Sequence, residues 1–117
     1  MNGIIELKAG KKTYKLRFNY NACMEFEQKL FNNPSASQAK TLTDLIYSGL
    51  FGEALRSETA VMPYGDVCDL LDELSLEKNY SEQIKKVWNI YNESKWGADF
   101  QERLKEFNST NKKKEEL

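Results

Sequence analysis

The strand-like signal of this chain is confined to its first eighteen residues, and it is short. Ile5 and Leu7 alternate with Glu6 and Lys8, and then Tyr14, Leu16 and Phe18 alternate with Lys15 and Arg17. This is the period of a strand with one covered face. Between the two runs, Ala9-Gly10-Lys11-Lys12 supplies a glycine able to take the positive φ of a tight turn. A lone two-stranded hairpin is marginal in water, so its apolar face must lie on something. The rest of the chain offers helical spacings. The expected fold is therefore α+β and mostly α: an N-terminal β-hairpin over residues 4–18 packed on a bundle of four to five helices.

The helices follow from caps, breakers and apolar spacing. Asn19 or Asn21 can cap a helix over about 20–31, with Tyr20, Cys23, Met24, Leu30 and Phe31 near one side and Asn32-Asn33-Pro34 as its stop. Residues 32–40 read as a polar loop, and Thr41 as the cap of a helix over 42–57. That helix carries two stripes: Leu42, Leu45, Ile46, Gly49 and Leu50, then Tyr47, Phe51 and Leu55. One buried face per helix suffices in a small domain. The second stripe implies either a central helix or an apolar surface that meets a partner. Pro63 opens a helix over 63–74, with Val67, Leu70, Leu71 and Leu74 inward. Tyr80, Ile84, Val87, Trp88 and Tyr91 mark a helix over 80–96, with Gly97 as its end or kink. Phe100, Leu104 and Phe107 mark a last one over 98–107, which completes a single globular domain over 1–107. Residues 108–117, NSTNKKKEEL, have almost nothing to bury and read as a flexible charged tail.

Composition removes several functions. The chain has 117 residues and no histidine, which excludes histidine-based nucleophile pairs, histidine general bases and imidazole ligands. Seventeen Lys and Arg against 18 Asp and Glu leave a formal charge of −1, with no global field to draw in nucleic acid or acidic lipid. Cys23 and Cys68 form no CxxC; a single bridge between them stays open, but reduced, buried thiols are the better reading. No apolar run approaches the roughly 20 residues of a membrane span, and the first residues lack a signal-peptide layout, so the chain reads as cytoplasmic.

The remaining clusters favour plain readings. Asp66, Asp69, Asp72 and Glu73 lack the alternating oxygen ligands and central glycine of an EF-hand loop, and read as a solvated acidic face. Lys11, Lys12, Lys15 and Arg17 make one face of the hairpin basic, which protects a strand edge. Trp88 fits a helix stripe and belongs to the core, whereas Trp96 fits none and is a candidate interface anchor. No phosphate-binding glycine loop, nucleophile elbow or paired-carboxylate site is present, so no catalytic residue, cofactor or metal ligand is assigned.

The stretch from Ile5 to Glu27, IELKAGKKTYKLRFNYNACMEFE, resembles the N-terminal signature of the tail assembly chaperones of long-tailed bacteriophages and prophages. There a short hairpin ends in an aromatic-Asn-x-Asn-Ala stretch that leads into a first helix bearing Glu; the matching residues are Phe18, Asn19, Asn21, Ala22, Met24, Glu25 and Glu27. Leu45–Leu50 is similar to the second-helix segment and Asp66–Glu73 to the third, although Pro63-Tyr64 stands where a Thr-containing lead is expected. The resemblance covers about residues 4–75, and its hairpin-to-helix part is the specific one. It implies a non-enzymatic protein that binds the tape measure protein in the host cytoplasm before the tail tube polymerises, with the tail tube protein as a second possible partner. It implies absence from the mature virion and leaves homo-oligomers open. Surplus apolar character makes Tyr47, Phe51, Leu55 and Trp96 the candidate contact residues. Two other readings stand beside it: a helix-turn-helix regulator over 42–57 and 63–74, and a minor structural component of the tail.

Overall fold

The computed structural model describes the backbone of residues 3–116 and the side chains of residues 3–106. Gly10 takes φ 62° at the first position of a two-residue turn, the geometry that a tight hairpin needs. Around it, β1 (Ile4–Ala9) pairs antiparallel with β2 (Lys12–Arg17), with Ile5 opposite Leu16 and Leu7 opposite Tyr14. Leu7, Ala9 and Leu16 are buried on one face, with Phe18 just past the strand, as the alternation predicts. The outer edge of β1 is closed by side chains. Lys8 N donates to Gln83 Oε1 at 2.8 Å, and Gln83 Nε2 donates back to Lys8 O at 3.0 Å. The Gln83 amide thus stands in for a neighbouring strand's peptide group. Gly10 N donates to Glu77 Oε1 at 2.7 Å.

Helix α1 (Tyr20–Asn32) starts on Asn19, whose Oδ1 accepts from Ala22 N at 3.0 Å while its Nδ2 donates to Gly52 O at 3.2 Å. One asparagine both caps α1 and ties it to α2 (Gln38–Ser57). Helix α2 begins one turn before the expected 42. Ser37 Oγ accepts from Lys40 N at 3.2 Å, and Thr41, the expected cap, donates its hydroxyl to Ser37 O at 3.0 Å instead. The extra turn is polar and carries no apolar signal. Helix α2 ends at Glu58 in the left-handed region, φ 57°.

α2 is the central helix. Leu45, Ile46, Ser48, Gly49 and Gly52 are buried, and the helix lies against both β2 and α1. The glycines permit that approach. A Cβ on Gly49 would sit 2.8 Å from Leu16 Cβ, and one on Gly52 would sit 2.7 Å from Ala22 Cβ and 2.6 Å from Asn19 Oδ1. Arg17 Nε donates to Glu53 Oε2 at 2.8 Å and fixes the end of β2 to the same helix.

Pro63 occupies the cap position of α3 (Tyr64–Leu74), which buries Val67, Leu70 and Leu74. The expected helix over 80–96 stops sooner: α4 spans Tyr80–Glu93 and α5 spans Lys95–Glu116. The break is at Ser94, not at Gly97. Ser94 N closes α4 on Ile90 O at 3.0 Å, and its extended ψ of 153° turns the chain. Its Oγ then accepts from Gly97 N at 3.1 Å, and its carbonyl accepts from Ala98 N at 2.9 Å, opening α5. Gly97 lies in the first turn of α5, where a Cβ would run into the Tyr91 carbonyl. It is a close-approach glycine, not a terminator. α5 also continues past the expected end at 107. The stretch expected as a flexible tail over 108–117 is thus backbone of α5 as far as Glu116, while its side chains lie outside the described residues.

One apolar cluster joins all of these elements, from Leu7 and Leu16 through Phe26, Leu45 and Ile46 to Val87, Tyr91 and Phe100. Tyr91 meets Phe26 edge-on at 5.2 Å and Phe18 at 5.7 Å. Trp88 packs on this cluster as expected, edge-on to Phe26 at 6.2 Å.

The two kinds of helical glycine separate on substitution. Gly52→Ala forces a methyl group into the α2–α1 contact and should destabilise by about 1–3 kcal/mol. Gly65→Ala on α3 meets nothing within 4 Å and should stabilise by about 0.5–1 kcal/mol. Urea unfolding midpoints of the two variants against the native chain measure both.

Candidate partner-binding groove

The core accounts for one side of α1 through Ala22, Cys23 and Phe26. The side next to it is apolar too, and it is open. Among the described residues six large apolar side chains are exposed: Tyr20 at 54%, Met24 at 41%, Phe31 at 63%, Leu55 at 44%, Leu76 at 85% and Trp96 at 40%. Tyr20, Met24, Phe31 and Trp96 converge on one groove of about 720 Å³ between α1 and α5. On α1, residues 20, 24 and 31 recur at helical spacing and form a stripe. Facing them, Trp96 in the first turn of α5 meets the Tyr20 ring edge-on at 4.9 Å, and Phe31 meets Phe100 edge-on at 6.1 Å. The Ser94 hinge sets this arrangement, because it fixes the angle at which α5 returns toward α1.

The rim of the groove is charged. It includes Glu27, Asp99, Glu102 and Arg103, with Arg103 Nη2 3.3 Å from Glu27 Oε2. Cys23 lies at its floor, 4% exposed, with Sγ 4.0 Å from Ser94 Oγ. Burial pushes the Cys23 thiol up to about 11, so it stays protonated near neutrality. The neighbouring Tyr91 hydroxyl is fully buried and has no partner at good hydrogen-bond geometry among the described residues, and burial pushes its ionisation up as well. Neither group is poised as a nucleophile or a base.

The sequence-predicted contact residues divide between two places. Trp96 lines the groove. Tyr47 and Phe51 stack at 6.2 Å elsewhere on α2 and are only half-exposed; Tyr47 also meets Tyr64 at 5.6 Å, under the Lys29 ammonium 4.9 Å from its ring. Leu55 is exposed further along α2 and does not line the groove. Sequence reasoning placed Tyr20, Met24 and Phe31 on the side of α1 that holds Cys23 and Leu30, without separating them from the core. The signal was there. α1 carries two adjacent apolar stripes, just as α2 does, and a short helix at the edge of a small domain can cover only one.

A polar latch lies away from the groove. Asp44, 1% exposed, accepts from Tyr64 Oη at 2.7 Å and from Lys40 Nζ at 3.0 Å, joining α2 to α3. Lys40 Nζ also donates to Tyr64 Oη at 3.1 Å, and its two bonds, to Tyr64 first and then to Asp44, hold the Lys40 ammonium above its usual range. Hydrogen bonding from Arg17 holds Glu53 below the usual carboxylate range. Asp66, Asp69, Asp72 and Glu73 are exposed along α3. Among the described residues no group of three His, Cys, Asp or Glu is placed to hold a metal ion, and no helix is long and apolar enough to cross a membrane. Both cysteines are free; Cys23 is buried as expected, but Cys68 is exposed, because its position on α3 lies off the Val67, Leu70 and Leu74 stripe.

Comparison of the chain with protein-family models, with curated proteins and with solved structures finds no match.

The two thiols should react at very different rates. With iodoacetamide at about pH 8, Cys68 is alkylated rapidly and Cys23 at least about a hundredfold more slowly, as intact mass against time will record. Burial of the thiol also makes the fold alkali-sensitive. The folded thiol ionises near 11 against 9.0 for the free group, so the unfolded chain gives up this proton first. Stability linked to the protonated thiol is complete below about pH 9 and falls toward pH 11, by up to about 1.4 kcal/mol per pH unit. Urea midpoints at about pH 8 and about pH 10.5 will show the drop, and Cys23→Ala will make it shallower.

Proposed function

We propose that this chain is a non-enzymatic tail assembly chaperone that covers apolar helical segments of the tape measure protein in the host cytoplasm before the tail tube polymerises. The observation that carries the proposal is the convergence of Tyr20, Met24, Phe31 and Trp96 on one groove between two helices. A groove lined by exposed rings and a methionine suits the apolar face of a partner helix, which lies lengthwise and inserts a side chain every third or fourth residue. Methionine adapts to more than one side chain, as repeated binding along a long and varied partner requires. The resemblance of residues 5–27 to the chaperone signature adds to this reading, since that stretch supplies Tyr20, Cys23, Met24 and Glu27 of the α1 side of the groove.

Each contact of this kind is small and reversible, which fits a protein that must leave as tube subunits arrive. Many modest contacts along one long partner hold it in solution through their number. The helix-turn-helix alternative is disfavoured because Asp66, Asp69, Asp72 and Glu73 are exposed on the helix that would have to face phosphates.

Co-expression with the tape measure protein tests the proposal. The native chain should keep that protein in the soluble fraction. Met24→Asp and Phe31→Asp should each let it pellet, while the variants' own Tm stays within about 3 °C of native, because both side chains are exposed. A partner that stays soluble with the Met24→Asp, Phe31→Asp double variant would rule the groove out. Recovery of the chain from purified virions would instead favour a structural tail component.

A further inference from the structure

We infer that the occupant of the α1–α5 groove is a basic amphipathic helix of about three turns, with Lys or Arg flanking its apolar stripe; this rests on the helix-binding reading above. The length comes from α1. Tyr20 and Phe31 mark the two ends of the open stripe, eleven residues or roughly 16 Å apart along the helix, the span of three turns of a partner laid alongside. The charge comes from the rim. The lining residues hold three carboxylates, Glu27, Asp99 and Glu102, against one guanidinium, Arg103, which is already bound to Glu27 at 3.3 Å. Lys95 and Lys105 approach Asp99 and Glu102 at 3.5 and 3.9 Å, but both lysine side chains are about three-quarters exposed and hold those carboxylates only weakly. A helix whose apolar face enters between the rings therefore meets acidic groups along its α5 flank.

Charge also selects against the other occupants. A second copy of the chain, docked groove to groove, would set Glu27, Asp99 and Glu102 against the same three groups of its partner. An anionic lipid surface or a nucleic-acid backbone meets the same repulsion. What remains is a helix that is cationic where this rim is anionic. Such a preference gives direction and register to an otherwise greasy contact, because apolar stripes alone slide past one another.

The test uses the full chain and two labelled peptides of about 15 residues with one shared apolar stripe, flanked by Lys in one and by Glu in the other. Fluorescence anisotropy should show the Lys peptide binding about tenfold tighter at about 20 mM salt, with the gap shrinking at about 0.5 M. An Asp99→Lys, Glu102→Lys variant, both positions solvent-facing on α5, should reverse the preference while its circular dichroism stays native. Equal affinity for the two peptides would overturn the charge selection and leave the helix-binding reading standing. Failure of both peptides to bind the native chain would sink the charge selection and the helix-binding reading together. Undiminished binding to the Met24→Asp, Phe31→Asp double variant would place the peptides elsewhere and overturn the assignment to this groove. A native dimer that dissociates in that variant would put a second copy there, with the same consequence.

Discussion

A hairpin of two six-residue strands has one apolar face and two open edges, and the rest of this chain is arranged around closing them. The face is closed by α2, which can come near enough only because Gly49 and Gly52 present no side chain to Leu16, Asn19 and Ala22. One edge is closed by Gln83, whose amide donates to and accepts from the backbone of Lys8 as a strand would. These closures are of different kinds, one of shape and one of hydrogen bonding, yet both draw distant parts of the chain onto residues 4–18. Once α2 is pressed against β2, its other sides face α1 and α3, and the order of the remaining layers follows.

The groove is a consequence of that order. α1 begins two residues after the hairpin, tied to Gly52 by the Asn19 side chain, so its rotation about its own axis is set. Cys23 and Phe26 then face inward, and Tyr20, Met24 and Phe31 fall on a side that neither α2 nor the hairpin reaches. α5 returns toward them from the Ser94 hinge, and its Trp96 and Phe100 contact the two ends of the stripe, Tyr20 and Phe31. These contacts cover the stripe only in part, and all three of its α1 residues stay exposed. Had the chain turned at Gly97, as its glycine suggests, α5 would start a turn later and Trp96 would belong to α4. Ser94 thus places a surface residue by terminating one helix and starting the next within a single side chain's reach.

Much of this was legible in the sequence, and what was missed has physical causes. The hairpin and the inward faces of α3 and α4 follow from period-2 and period-3.6 patterns, and the structure has them where the patterns say. Helix ends were less visible. Ser37 lies in a polar run that looks like loop, since a cap is a single oxygen and leaves no periodic trace. Gly97 looks like a stop because a glycine that ends a helix and one that lets a carbonyl approach are the same letter. Gln83 reads as an ordinary polar helix position; only the fold brings it to Lys8, 75 residues away. For the candidate site, Trp96 stood out because it fitted no stripe. Tyr20, Met24 and Phe31 did not, because they sit beside core positions on the same helix, and separating the two stripes needs the crossing angle of α1 against α2.

The surplus on α2 had the opposite fate, and the contrast explains why one apolar stripe became a groove and the other did not. Tyr47 and Phe51 are as apolar as Tyr20 and Met24. They lie on the central helix, however, where Tyr64 from α3 and Lys29 from α1 close over the Tyr47 ring. A central helix has neighbours on most sides, so Tyr47 and Phe51 are partly covered by their own chain, and of that stripe Leu55 alone, near the helix end, is exposed. At the edge of the domain α1 has α2 along one side and only a few residues of α5 along the other, so its second stripe stays open to solvent. An open stripe of rings and a methionine costs solubility unless it is used. Glu27, Asp99 and Glu102 stand around it, and carboxylates at the rim of an apolar surface lower that cost.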